Sequence, residues 1–169
     1  MQIPNFLNNK HMKNLFVFLL FISIISGCGP NKEESLLYDM MLLKHQTPVV
    51  QAYEDLELSL NDTMVDIIDN KYEVLKKNLD QQINGIKNEP NFDDTPNYKN
   101  FYLQFLLEIN SLTQFEYKEI LELLNKPEHH SDEKEKKAKL RTKISKKYKN
   151  AQAQLKKAQD NFKEKYGIK

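Results

Sequence analysis

The chain has 169 residues, 29% charged and 40% hydrophobic, with a formal net charge of +1. That length suits one folded domain and is short for two. Four glycines supply few tight turns, which argues against short-stranded sheet folds, and a single cysteine excludes an internal disulfide and a cysteine zinc site.

At the N-terminal end, Lys10, His11 and Lys13 form a short basic region ahead of the almost wholly apolar run from Leu15 to Ile25. As a helix, this run would span about 16 Å, roughly half the hydrocarbon thickness of a bilayer. It is too short to cross a membrane and suits the core of a signal peptide. Ile25-Ser26-Gly27-Cys28 then resembles the bacterial lipobox, in which small residues admit a protease and the following thiol is acylated. The resemblance implies a leader over 1–27 that is removed, an acylated Cys28 and a lipidated tether over 28–33. One acyl chain anchors only marginally, so stable attachment implies several. The segment from Met12 to Cys28 is already a complete lipoprotein signal, which makes Met12 the expected start. Glu33-Glu34, soon after the cysteine, resembles the surface-export signals of some bacteria with outer membranes.

Four periodic segments follow, separated by breakers. In the first, Tyr38, Leu42, His45, Val49, Tyr53, Leu56 and Leu60 recur at three- and four-residue steps, with Pro48 expected to kink or split the helix. Asn61-Asp62 ends it. The second carries Met64, Ile68, Tyr72, Leu75, Leu79, Ile83 and Ile86 on one stripe. The two prolines of residues 88–97 mark a loop, and Thr95-Pro96 suits a helix start. The third segment runs to about Asn125 and is apolar nearly all round over 101–109. Ser131 caps a fourth helix whose stripe is Leu140, Ile144, Tyr148, Ala151, Leu155, Ala158, Phe162 and Tyr166, with Gly167 placed to terminate it. Long segments of similar length with shortish connections predict an all-α, up-down-up-down four-helix bundle over 34–168.

The lipobox, the residues from Glu116 to Leu124 and the closing stretch from Ala151 to Ile168 resemble the small helical surface lipoproteins of the leptospiral surface-protein family, which also has flavobacterial members. The resemblance implies a helical fold and a place at the bacterial envelope, with the outer membrane or cell surface expected. It brings no established activity.

The chain carries no metalloprotease helix motif, glycine-rich phosphate loop or nucleophile elbow. His129 and His130, beside several carboxylates, are the residues closest to a metal set, but adjacent loop histidines tend to diverge, and no metal or other cofactor is expected. His45 falls on an apolar stripe, where a core histidine bonded to a tyrosine or a backbone carbonyl is the expected role. Tyr38, Tyr72, Phe101, Tyr102 and Phe105 are candidates to line a lipid-sized pocket or simply to fill the core. The greasy third helix is a candidate surface for a protein partner or self-association.

Charge is unevenly spread. Residues 131–169 hold fourteen Lys or Arg against five Asp or Glu, while residues 29–130 hold nine against nineteen. Such a basic helix either binds an anionic polymer or complements its own bundle. In an up-down bundle it lies beside Glu54, Asp55, Glu57, Glu116, Glu119 and Glu122, which favours internal complementation over nucleic acid. The expectation is a non-enzymatic, lipid-anchored envelope protein that binds or builds, with a carrier of a lipid or small apolar ligand as the alternative.

Overall fold

Helical periodicity in the sequence becomes four helical rods in the computed structural model, which describes residues 30–61, 64–93, 97–126 and 131–168. Helix α1 is Lys32–Ser59, α2 is Val65–Asn88, α3 is Asn97–Leu112, α4 is Lys118–Leu124 and α5 is Ser131–Tyr166. A π-helical turn, Thr113–Tyr117, joins α3 to α4, so these three pieces form one continuous third rod. No strand occurs among the described residues.

Side-chain pairs fix the topology. His45 midway along α1 meets Gln82 near the end of α2 and Glu89 just beyond it, whereas Asp55 late in α1 meets Lys71 early in α2, so α1 and α2 are antiparallel. Helix α5 runs against both α1 and the third rod. Tyr38 faces Phe162 and Glu57 faces Arg141, while Tyr98 stacks on Phe162 and Glu119 meets Lys136. Helix α1 and the third rod run the same way, since Asp39 bonds Tyr98 and Glu57 bonds Tyr117. The bundle is therefore up-down-up-down, as the short connections demand.

The apolar stripes form the core. Leu42, Leu56, Leu75, Leu79, Leu106, Ile109 and Leu112 are fully buried, and each such side chain contributes about 1.5–3 kcal/mol relative to exposure. Between α1 and α5 the filling is largely aromatic, with the rings of Tyr53 and Tyr148 stacked 4.1 Å apart. Met64 is 55% exposed, so the second stripe starts at Ile68.

Local details differ from the sequence expectations in instructive ways. Helix α1 already includes Lys32 and Glu33, two residues of the expected tether. Pro48 does not split it. Leu42, Val49, Ala52 and Tyr53 are buried on either side of the proline, and Asn78 of α2 donates to the Pro48 carbonyl at 3.3 Å. Tertiary packing of this kind outweighs one missing backbone hydrogen bond. The π turn was not foreseen. It widens the third rod so that Thr113, Glu116 and Tyr117 all turn inward, and the Thr113 hydroxyl donates to the Ile109 carbonyl at 2.8 Å. Gly167 ends α5 with φ of +64°, and Ile168 N donates back to the Lys163 carbonyl at 2.9 Å, the bond pattern a terminating glycine permits.

Candidate functional site

The end of the bundle where α1 begins gathers the start of α1, the end of α2 with its following loop, the start of α3 and the end of α5. Four aromatic residues from these elements make a floor. Tyr38 and Phe92 lie 4.9 Å apart, and Tyr98 and Phe162 are stacked at 3.9 Å. Together with the half-exposed Phe101 they line a cavity of about 360 Å³, rimmed by Asp93, Asn97, Lys99, Asn161 and Lys165.

The rim is tied down by polar bonds. Lys165 Nζ and the Tyr166 hydroxyl both donate to Asp93 Oδ2 at 2.7 Å, and Lys99 Nζ donates to the Glu89 carbonyl at 2.6 Å. The Tyr38 hydroxyl donates to the Pro90 carbonyl at 2.9 Å, which holds the loop against the floor. Burial, together with the carboxylates of Glu89 and Asp93, pushes the Tyr38 phenol up to about 12, so at neutral pH it keeps the proton it donates to Pro90.

Beneath the floor lies a buried polar network. Asp39, 2% exposed, accepts from Tyr98 and, at 3.1 Å, from Tyr102, while Lys163 Nζ stands 3.6 Å from its second oxygen. Gln159 Nε2 donates to the Tyr102 oxygen at 2.7 Å. Burial pushes the Tyr98 and Tyr102 phenols well above their ordinary range, and the bonds to Asp39 add to it. A cavity with this lining can hold an apolar or aromatic molecule against rings, with amides, lysines and a carboxylate at its mouth.

The sequence-derived candidates divide accordingly. Tyr38 and Phe101 line the cavity, and Tyr102 sits below it. Phe105 is core, packed near Tyr148, and Tyr72 lies early in α2 at the other end of the bundle with Lys76 over its ring. His45 is mostly buried, but its partners are side chains: Gln82 Oε1 at 2.8 Å and Glu89 Oε1 at 3.0 Å. It packs on Gly85, where an added Cβ would stand 2.5 Å from the ring. In the third helix Tyr102, Phe105, Leu106 and Ile109 are buried, leaving Phe101 and Leu107 as its exposed apolar side chains over 101–109. Cys28, His129 and His130 lie outside the described residues. Among the described residues there is no metal-ligating group of three or more His, Cys, Asp or Glu.

Sequence reasoning missed Asp39 and Phe92. Asp39 had a readable signal, because Asp39, Gln46, Tyr53 and Leu60 repeat every seven residues alongside Ser35, Leu42, Val49 and Leu56. Phe92 sits in the proline-bounded loop and had none.

Away from the cavity, α5 is stitched to the third rod. Lys136 meets Glu119 at 2.6 Å, and Lys143 and Lys147 both meet Glu116 at 3.0 Å. Arg141 lies 3.7 Å from Glu57, whereas Asp55 pairs with Lys71 rather than with the basic helix.

Compared with family models, curated proteins and solved structures, the chain matches none.

Proposed function

We propose that this chain is a lipid-anchored lipoprotein of the bacterial envelope, at the outer membrane or cell surface, whose helical body is a non-enzymatic binding or structural module. The observation that carries this reading is the order of parts: a basic region, a short apolar core, then Ile25-Ser26-Gly27-Cys28, with the bundle starting at Lys32. The resemblance to the small helical surface lipoproteins points the same way. Among the described residues no helix is long and apolar enough to cross a membrane. On this reading, acyl chains on Cys28 hold the protein in place.

The pairs between α5 and Glu57, Glu116 and Glu119 support internal use of the basic helix, so nucleic acid is not the partner favoured here. Replacing Cys28 by Ser should move the protein from carbonate-washed membranes to the soluble fraction. Persistence of the variant in washed membranes would overturn the anchor. Protease shaving of intact cells then tests surface exposure of the wild type.

A second reading is a carrier of a lipid or small apolar ligand, and the aromatic cavity of about 360 Å³ favours it. A carrier purified without its lipid anchor should show a bound small molecule by native mass spectrometry, and Phe101→Ser should reduce the occupied fraction. An apo mass alone, in protein taken from its own cells, would remove the carrier reading.

A further inference from the structure

Helix α1 buries one face through Tyr38, Leu42, Val49, Tyr53 and Leu56, yet its solvent side also starts apolar. Leu36, Leu37 and Met40 are 42%, 60% and 56% exposed. Their spacing, four and three residues, makes them neighbours on one patch. The partly buried Leu43 continues it, and then the exposed positions turn polar at Lys44, Thr47, Gln51 and Glu54. Apolar exposure on this side is thus clustered in the first three turns, and Leu58, 72% exposed, stands alone at the far end of the helix.

Those turns lie next to the anchor in the chain. Three residues separate Cys28 from Lys32, four steps that reach about 14 Å when fully extended. Leu36 and Leu37 lie only about 6–8 Å farther along the helix. We infer that Leu36, Leu37 and Met40 form a membrane-contact patch that settles into the headgroup–acyl boundary of the bilayer holding Cys28; this rests on the lipoprotein reading above.

The tether decides the occupant. A bilayer tied this close is always present at high effective concentration, whereas a second copy must diffuse to the patch. Three side chains also fall far short of the roughly 800 Å² per partner that a stable protein interface buries. Glu33 and Glu34 in the first turn oppose an anionic surface, so the patch suits a zwitterionic one.

The chain has no tryptophan, so one introduced indole reports its own surroundings. Natively acylated Leu37→Trp protein is reconstituted into phosphatidylcholine vesicles, with or without brominated acyl chains, and bound protein is collected by flotation. Leu58→Trp is the control, since Leu58 is 72% exposed and lies 21 residues away on the same helix, about 31 Å at 1.5 Å per residue. Both sites are exposed, so neither change threatens the fold.

For Leu37→Trp we expect a blue-shifted emission and about a twofold loss in brominated vesicles, as a group at the headgroup–acyl boundary would show. For Leu58→Trp we expect neither. Floating protein whose Leu37→Trp emission is neither shifted nor quenched overturns the patch and leaves the anchor intact. A blue shift without quenching overturns it in favour of a second protein copy, and equal quenching at both sites overturns its localisation. Protein that does not float refutes acylation and takes the patch with it.

Discussion

Replacing Asp39 by Ala should destabilise the bundle by about 3 kcal/mol, because it strips the acceptor from two buried phenols. Tyr98 is 8% exposed and Tyr102 not at all, and both donate to the same carboxylate oxygen. Without it, Tyr102 can turn toward the Tyr98 oxygen 3.4 Å away, but one hydroxyl stays unpaired. A buried donor left without a partner costs about 1–3 kcal/mol, and a lost bond to a charged acceptor adds to this. Lys163 contributes little, since it is 39% exposed and can return to water. Asp39→Asn keeps an acceptor oxygen in place and should cost only about 1 kcal/mol. Urea denaturation checks the series, and a cycle with Tyr98→Phe identifies the cause. In the Tyr98→Phe background the Asp39→Ala loss should shrink, because the orphaned donor is gone. An unchanged loss would place the effect elsewhere. Tyr98 also forms part of the cavity floor, so Asp39→Ala should loosen that floor as well as the fold.

The same residues show why much of this fold was legible and the candidate site only in part. Buried positions on a bundle helix recur at three and four residues, so stripes such as Ile68, Tyr72, Leu75, Leu79, Ile83 and Ile86 read directly as core. Tyr72 was legible as buried, but its distance from the cavity was not, because periodicity reports a face and says nothing of height. Height follows only once the rods are known to alternate in direction. Phe92 was hidden, since a ring in a loop has no period. Leu37 and Met40 were passed over because the first helix is apolar on more than one side, and the stripe that fits the core draws the eye. The π turn left no mark either. It resets the phase by one residue, which a short run such as Leu112, Thr113 and Glu116 cannot reveal.

Glu116, carried inward by that turn, should give the bundle a measurable acid sensitivity. It is 3% exposed, and its Oε1 accepts from both Lys143 and Lys147 at 3.0 Å, while Oε2 has no hydrogen-bond partner among the described residues. Burial alone would push this carboxyl up. The two ammonium groups outweigh it and hold the carboxyl below its usual range. A depressed folded pKa means the unfolded chain takes up a proton first as pH falls. The stabilisation is therefore complete above the unfolded value of about 4.3 and is lost as pH drops through the lower, folded value. Glu116→Gln lacks this contribution at every pH. At pH 7 it should be less stable than wild type by about 1–2 kcal/mol, a modest figure because both lysines can reach water when released. Urea midpoints measured from neutral pH downward should then converge at the acid end. The remaining carboxylates are common to both proteins, so the difference isolates Glu116. A gap that stays constant down to the acid limit would mean that packing, and not charge, explains the loss. Salt gives an independent discrimination. The Lys136–Glu119 pair is exposed on both sides and should contribute almost nothing once screened, whereas the buried end of the Glu116 cluster should keep most of its effect.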